Sequence, residues 1–93
     1  MVEEILLSWI EKFKELNLND RFDSAYVSIL NRDKGHWDTK YTSYPAALAY
    51  IACLSTEQKV TQEQVAEKAG CSKVELHRAY TKIVKRNKIT DLG

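Results

Sequence analysis

Two helix-start signals lie close together in the second half of this 93-residue chain and constrain its local structure more than any other feature. Thr61 is followed three residues later by Gln64, and Ser72 is followed by Glu75 at the same spacing. This spacing is typical of a capping box, in which two side chains satisfy the free backbone N–H groups at a helix start. Gly70 lies between the two signals, where a helix end favours a left-handed backbone that costs glycine nothing. We therefore predict two short helices joined by a tight turn.

The two predicted helices span about 62–69 and 73–87, an arrangement typical of a helix-turn-helix. In such a unit the second helix can lie in the major groove of DNA. The positions predicted to face inward are all apolar or small: Val65, Ala66, Ala69, Cys71, Leu76 and Ala79. The same shape also occurs in purely structural helix pairs, so the pattern favours the helix-turn-helix more strongly than it favours DNA binding.

Three further helices are predicted upstream, over about 3–16, 20–33 and 45–55. The first two carry apolar residues at steps of three and four, the spacing of an amphipathic helix. The third contains the run AALAYIACL, which is apolar on every side, so we expect it to be the buried centre of the domain. Pro45 fits the first turn of this helix, where a missing N–H group costs nothing.

The segment between the second and third helices, residues 36–43, is predicted to be a connecting loop, with Gly35 as a stop signal before it. We expect Trp37 and Tyr41 in this loop to pack partly against the body of the domain. The alternative is that the two aromatic rings form a patch for a partner. No convincing strand is visible, so the prediction is one all-α domain of five helices over residues 1–93.

Composition restricts the class of protein further. The apolar fraction of 44% is enough for a core, and three Gly and one Pro argue against a turn-rich β fold. The longest mainly apolar run, 46–54, is too short to span a bilayer, and the opening MVEE is unlike a secretory signal. Cys53 and Cys71 fall on predicted inward faces, and we expect free thiols, no metal and no cofactor. No catalytic triad or phosphate loop is visible, so we expect an intracellular protein that is not an enzyme.

Charge is distributed unevenly although the net charge is only +1. Residues 1–43 hold eight acidic and six basic side chains, whereas residues 44–93 hold five acidic and eight basic ones. The basic side chains of the last predicted helix and tail are Lys73, Arg78, Lys82, Lys85, Arg86 and Lys88. Such a stripe suits contact with nucleic-acid phosphates. The alternative is a solvated helix face with cations favourably placed near a helix C-terminus.

A block of residues in the second half follows a family pattern. Its members are Tyr50-Ile51-Ala52, Thr61-Gln62, Val65-Ala66, Ala69-Gly70, Val74, Leu76 and Tyr80. The block covers roughly half of the chain, and its spacing resembles that of a cyclin-like repeat of the transcription factor IIB family, including archaeal transcription factor B.

The resemblance implies a five-helix cyclin-like bundle whose last two helices form a helix-turn-helix. In that family this unit grips DNA beside the TATA box, and other surfaces bind the TATA-binding protein and RNA polymerase. By position, Val74 and His77 match the two family residues that touch base edges, and Gln62 matches a position near the DNA backbone. These proteins and double-stranded DNA are therefore the expected partners.

The chain also departs from the family pattern. Position 77 is usually Arg in the DNA-reading repeat and is His77 here, and Glu75 replaces a Thr. We therefore do not expect the usual base preference of the family. One repeat is present without a Cys-x-x-Cys zinc ribbon, so initiation-factor activity by this chain alone is not expected.

Side-chain chemistry suggests the same residues as contacts. Val74 can touch a thymine methyl group, or alternatively pack under helix 62–69. His77 can donate to guanine or to a phosphate, or alternatively be an ordinary surface histidine. Lys73 and Arg78 are expected to contact phosphates. Further backbone contacts are expected from Lys82, Lys85 and Arg86.

The sequence thus predicts a monomeric DNA-binding, transcription-related module with helix 73–87 in the major groove and no membrane association. The alternative is a cyclin-like interaction module that docks transcription machinery through its acidic first half without reading bases. A third interpretation is a dimeric regulator of the bacterial helix-turn-helix type.

Overall fold

The computed structural model describes residues 2–89, and these residues form five α-helices and no strand. The helices are α1 (Val2–Phe13), α2 (Arg21–Arg32), α3 (Ser43–Ser55), α4 (Gln62–Ala69) and α5 (Lys73–Asn87). Short 3-10 turns follow α1 at Lys14–Leu16 and α2 at Lys34–His36. The all-α prediction is confirmed for the described residues.

The central helix is α3, which packs against all four other helices. Nine of its thirteen residues are buried, as predicted for the run AALAYIACL. It begins at Ser43, two residues before the predicted start, so Pro45 is its third residue. The first four N–H groups of a helix have no partner within that helix, and the ring of Pro45 is therefore accommodated without a lost hydrogen bond.

Aromatic side chains join α1 to α2. Phe13, Phe22 and Tyr26 are fully buried, with ring centroids 6.5 Å apart for Phe13 and Phe22 and 5.8 Å apart for Phe22 and Tyr26. The hydroxyl of Tyr26 donates to the Leu6 carbonyl at 2.6 Å, so this buried polar group has a partner. Burial raises the pKa of Tyr26 well above its usual value. Trp9 stacks on Phe13 and is half-buried.

The connection from α2 to α3 differs from the prediction. Helix α2 ends at Arg32, one residue before the expected end, and Gly35 follows it within a 3-10 turn that was not predicted. Trp37 packs as expected, and its Nε1–H donates to the Leu30 carbonyl at 2.8 Å. Tyr41 remains 55% exposed.

Both predicted capping boxes are confirmed. The Thr61 hydroxyl accepts from the Gln64 N–H at 3.1 Å, and the Gln64 side chain accepts from the Thr61 N–H at 2.9 Å. Ser72 and Glu75 make the same pair of bonds at 3.1 and 3.0 Å. Between the helices, Gly70 has φ +79° and donates its N–H to the Ala66 carbonyl. The boundaries of α4 and α5 are therefore those predicted from local sequence.

Small side chains hold α4 close to the rest of the bundle. Val65, Ala66, Ala69 and Leu76 are buried as predicted, whereas Ala79 is half-buried.

Both cysteines are free thiols, with Cys53 buried and Cys71 half-buried. Burial raises the pKa of Cys53 to about 12, so this thiol stays protonated at neutral pH.

Replacing Gly70 with Ala is expected to lower the free energy of unfolding by about 1–2 kcal/mol, because a left-handed backbone is strained for any residue with a Cβ atom. A Cβ atom built on Gly70 meets no atom within 4 Å, so backbone strain alone accounts for the loss. Gly35→Ala is the matched control, since its Cβ also meets nothing within 4 Å and its φ is not positive. Urea denaturation of both variants compares them, and an equal effect of the two substitutions would contradict the account of the turn.

No helix within residues 2–89 combines the length and apolar character needed to cross a lipid bilayer.

Candidate nucleic-acid interface

One face of α5 points away from the bundle along the whole helix. Val74, Arg78, Thr81 and Lys85 recur at steps of three and four, and all four are exposed. Leu76 and Ile83 lie on the opposite face and are buried. The two faces show that α5 uses one side for the core and leaves a polar, mainly basic side open.

The predicted contact residues at the start of α5 lie together. A surface depression, which we call the α4–α5 depression, is lined by Gln62, Lys73, Val74, His77 and Arg78. Five of the eight sequence-predicted DNA-binding residues thus share one local surface. Val74 lies in this depression and is 59% exposed. The side chain therefore does not pack under α4, which was the alternative role considered for it.

Two carboxylates, Glu63 and Glu75, lie close to residues of this depression. Lys73 Nζ lies 3.7 Å from Glu63 Oε1, with both side chains more than half exposed. An exposed pair of this kind stabilises the fold by about 0–1 kcal/mol, so Lys73 can exchange this partner for another anion at little cost. Hydrogen bonds from the Ser72 backbone and hydroxyl lower the pKa of Glu75 and keep it charged in its capping role.

His77 belongs to an aromatic cluster that the sequence analysis did not anticipate. Its ring centroid lies 5.9 Å from that of Tyr80, which lies 5.4 Å from that of Tyr50 on α3. Tyr80 and Tyr50 are half-buried, whereas His77 is exposed. The pairing of Tyr50 with Tyr80 cannot be inferred from local patterns because the two residues are 30 positions apart. The cluster supports one side of His77 and leaves the residue open to solvent.

The remaining predicted residues divide into two groups. Lys82 and Lys85 are exposed further along α5, and neither forms an ion pair within residues 2–89. Arg86 has a different environment, because its Nε donates to Asp33 Oδ1 at 2.8 Å and its Nη2 donates to Asp33 Oδ2 at 2.7 Å. This bidentate pair ties the Arg86 guanidinium to a buried carboxylate, so Arg86 is not a free surface cation as Lys82 and Lys85 are.

Asp33 is the one charged residue among the described residues that is fully buried. Besides Arg86, it accepts from the Tyr44 hydroxyl at 2.6 Å and from the Asn87 side-chain amide at 2.9 Å. Burial alone would raise the pKa of Asp33, but the hydrogen bonds from Arg86, Tyr44 and Asn87 outweigh it and hold the pKa below its usual value. The network joins the end of α2, the start of α3 and the end of α5.

The arrangement therefore offers cations, a histidine and an exposed apolar side chain on one helix. Hydrogen-bond donors of this kind can contact phosphates and base edges, and a valine can contact the thymine methyl group. Within residues 2–89, no group of three or more His, Cys, Asp or Glu side chains is placed to hold a metal ion.

In comparisons with known proteins, the chain matches no protein-family model and has no significant match among curated proteins.

Proposed function

We propose that this chain is a DNA-binding module that inserts the outward face of α5 into the major groove of double-stranded DNA. The observation that carries the proposal is the α4–α5 depression, in which an exposed Val74 lies among the cations Lys73 and Arg78 and beside His77. The depression thus combines an apolar side chain with two cations on one exposed surface. It suits a groove that has phosphates at its walls and thymine methyl groups on its floor.

The dimensions of α5 are compatible with this role. Its fifteen residues give a length of about 22 Å, and a helix with side chains is about 10–12 Å across. The major groove of B-DNA is about 12 Å wide, so one helix fills it. Helix α4 would lie across the phosphate backbone, with Gln62 at its N-terminal end and the capping box of Thr61 beside it.

We further propose that the module is related to one cyclin-like repeat of the transcription factor IIB family, with α4 and α5 as a helix-turn-helix. The support is the residue block around Tyr50-Ile51-Ala52 and Thr61-Gln62, together with five helices around a buried third helix. On this proposal the protein acts as an intracellular monomer. The TATA-binding protein and RNA polymerase are its candidate protein partners.

Affinity for duplex DNA measured against salt tests the proposal. If α5 neutralises several phosphates, the logarithm of the association constant should fall with the logarithm of salt concentration by about 0.9 for each contact. Fluorescence anisotropy with a labelled mixed-sequence duplex gives this slope. A slope near zero, or no binding at low salt, would contradict the proposal.

Glu63→Gln provides a gain-of-affinity test. Removing this carboxylate frees Lys73 from its 3.7 Å partner and removes a negative charge near the incoming phosphates. Two like charges about 7 Å apart in water repel by about 0.6 kcal/mol, so affinity should rise about threefold. Glu11→Gln on α1 is the matched control, since it removes the same charge from another helix. Equal gains in both variants would indicate a general effect of net charge.

A second candidate function is a protein-interaction module, and the surface of α1 favours it. Ile5 is 48% exposed and Val2 is 40% exposed, with Glu3 and Glu4 beside them. An apolar and acidic surface suits a basic protein partner better than DNA. Capture of a protein partner that survives nuclease treatment and is lost on Ile5→Ala would support this function over the first.

A further inference from the structure

A second surface lies on the other flank of α5. A cleft of about 410 Å³ lies between α5 and the segment that precedes and begins α3. We call it the side cleft. One wall carries His36, Asp38 and Tyr41, and the other carries Glu75, Arg78 and Lys82. Arg78 lines both the side cleft and the α4–α5 depression, so the two surfaces are continuous.

The two carboxylates in this cleft are engaged by backbone groups. Asp38 Oδ1 accepts from the Lys40 N–H at 2.7 Å, and Glu75 Oε1 accepts from the Ser72 N–H at 3.0 Å. By contrast, Arg78 and Lys82 form no ion pair within the described part of the chain. The cleft therefore holds two carboxylates and these two cations, and neither cation lies within ion-pair distance of a carboxylate of residues 2–89, so both can contact an external anion.

The segment opposite α5 adds another cation. The Lys40 ammonium lies 5.4 Å from the centroid of the Tyr41 ring, and Tyr41 lines the cleft. Lys40 itself does not line the cleft, but its contact with the face of the Tyr41 ring places the ammonium beside a residue that does. The segment itself is anchored at its start, because Trp37 Nε1 donates to the Leu30 carbonyl at 2.8 Å.

The position of the segment relative to α5 is also fixed. Asp33 directly follows α2 and precedes the segment, and Arg86 and Asn87 on α5 donate to its carboxylate. Tyr44, which follows the segment, donates to the same carboxylate at 2.6 Å. Both ends of the segment are therefore held to the C-terminal end of α5 by the buried Asp33 carboxylate.

We propose that the side cleft is a second phosphate-contact site, in which Lys40, Arg78 and Lys82 hold the DNA strand that runs along this flank of α5. This inference rests on the proposed function, and it adds residues 37–42 to the interface. A helix that fills the major groove has one phosphate backbone on each flank, because the groove is about as wide as the helix. Gln62 and His77 then face one strand, while the side cleft faces the other. The volume of about 410 Å³ is more than ten times the roughly 30 Å³ of a water molecule in the liquid, which is room for a hydrated phosphate.

Two matched lysine variants test this site. Lys40→Gln removes a cation over Tyr41, and Lys12→Gln removes a cation that lies 5.2 Å from the Trp9 ring on α1. Both substitutions remove the same charge from the same kind of contact, and only the first is at the side cleft. The probe is a labelled mixed-sequence duplex of about 20 base pairs, titrated by fluorescence anisotropy between about 50 and 200 mM salt. Circular dichroism confirms that both variants are folded.

We expect Lys40→Gln to reduce the salt slope by about 0.9, so that the ratio of wild-type to variant affinity shrinks about 3.5-fold across this salt range. Lys12→Gln should keep the wild-type slope. An unchanged slope for Lys40→Gln, with wild-type binding intact and weakened by Lys73→Gln, would overturn the side cleft and leave the proposed function standing. The proposal for the side cleft is also overturned if Lys12→Gln reduces the salt slope equally. It is likewise overturned if Lys40→Gln leaves DNA binding unchanged and affects only the binding of a Glu-rich peptide. Absence of wild-type binding to the duplex would overturn both proposals.

Discussion

Asp33→Asn should lower the free energy of unfolding by about 3 kcal/mol, because it breaks an ion pair whose carboxylate is fully buried. The amide keeps the shape of the carboxylate but replaces one of its two oxygens with an NH₂ group. Arg86, Tyr44 or Asn87 then loses the oxygen to which it donates. It also leaves the Arg86 guanidinium without its counter-charge. Breaking a buried ion pair costs about 3–5 kcal/mol, and the lower end applies because the Arg86 side chain is 29% exposed.

Asp20→Asn is the control for this substitution. Asp20 is fully exposed and its carboxylate lies 3.7 Å from Lys14 Nζ, so the same chemical change there should have a much smaller effect. Urea denaturation measures both variants. Similar losses for Asp33→Asn and Asp20→Asn would show that the Asp33 network does not hold the three helix ends together.

The stability difference between wild type and Asp33→Asn should depend on pH, because the pKa of Asp33 is lowered in the folded protein. A carboxylate whose pKa is lower in the folded state stabilises the fold above its unfolded pKa, near about 4, and this stabilisation is lost as the pH falls through the folded pKa. The difference in unfolding free energy between wild type and Asp33→Asn should therefore be constant at neutral pH and narrow below about pH 4. A difference that stays constant down to about pH 2 would contradict the assigned charge state.

The second large effect is expected on DNA affinity. Replacing Lys73 and Arg78 together with Ala should lower the salt slope by about 1.8, because each side chain is proposed to neutralise one phosphate. If each contact adds nothing at 1 M salt, its loss weakens binding about eightfold at about 0.1 M salt, and the double variant binds about 60-fold more weakly. The loss should be similar for all duplex sequences, since phosphate contacts carry no base information.

The matched control removes one lysine and one arginine elsewhere. Lys12→Ala with Arg21→Ala takes the same net charge from α1 and α2, and should leave most of the affinity intact. His77→Ala tests base reading separately. It should change the relative affinity for A·T-rich and G·C-rich duplexes while altering the slope little. Equal losses in both double variants would indicate attraction by net charge alone and would remove α5 from the interface.

The parts of the fold that were predicted correctly are those with local causes. The boundaries of α4 and α5 follow from Thr61, Gln64, Ser72 and Glu75, whose bonds each span three residues. The central position of α3 follows from a run that is apolar on every side, because a helix of this kind must bury all of its faces.

The parts that could not be predicted depend on contacts between distant residues. Asp33 and Arg86 are 53 positions apart, and a lone aspartate after a helix carries no local sign of burial. The same separation explains why Arg86 resembled the surface lysines around it in sequence. The end of α2 was predicted to within one residue, but the 3-10 turn at Lys34–His36 was not, because it follows Asp33, whose side chain is held by α5 and α3.

In the candidate site too, features with local causes were predicted and features that depend on distant contacts were not. The clustering of Gln62, Lys73, Val74, His77 and Arg78 follows from helix boundaries and helical spacing, both of which are local. The side cleft was not predictable, because it forms between α5 and a segment about forty residues earlier in the chain.

An NMR titration of the ¹⁵N-labelled protein with a mixed-sequence DNA duplex tests the central claim most directly, since it locates the bound surface residue by residue. The account predicts that amide shifts cluster in α4 and in α5 from Lys73 to Lys85, on the surface that carries Val74 and Arg78. Shifts confined to α1 and α2, or no shifts at low salt, would contradict it.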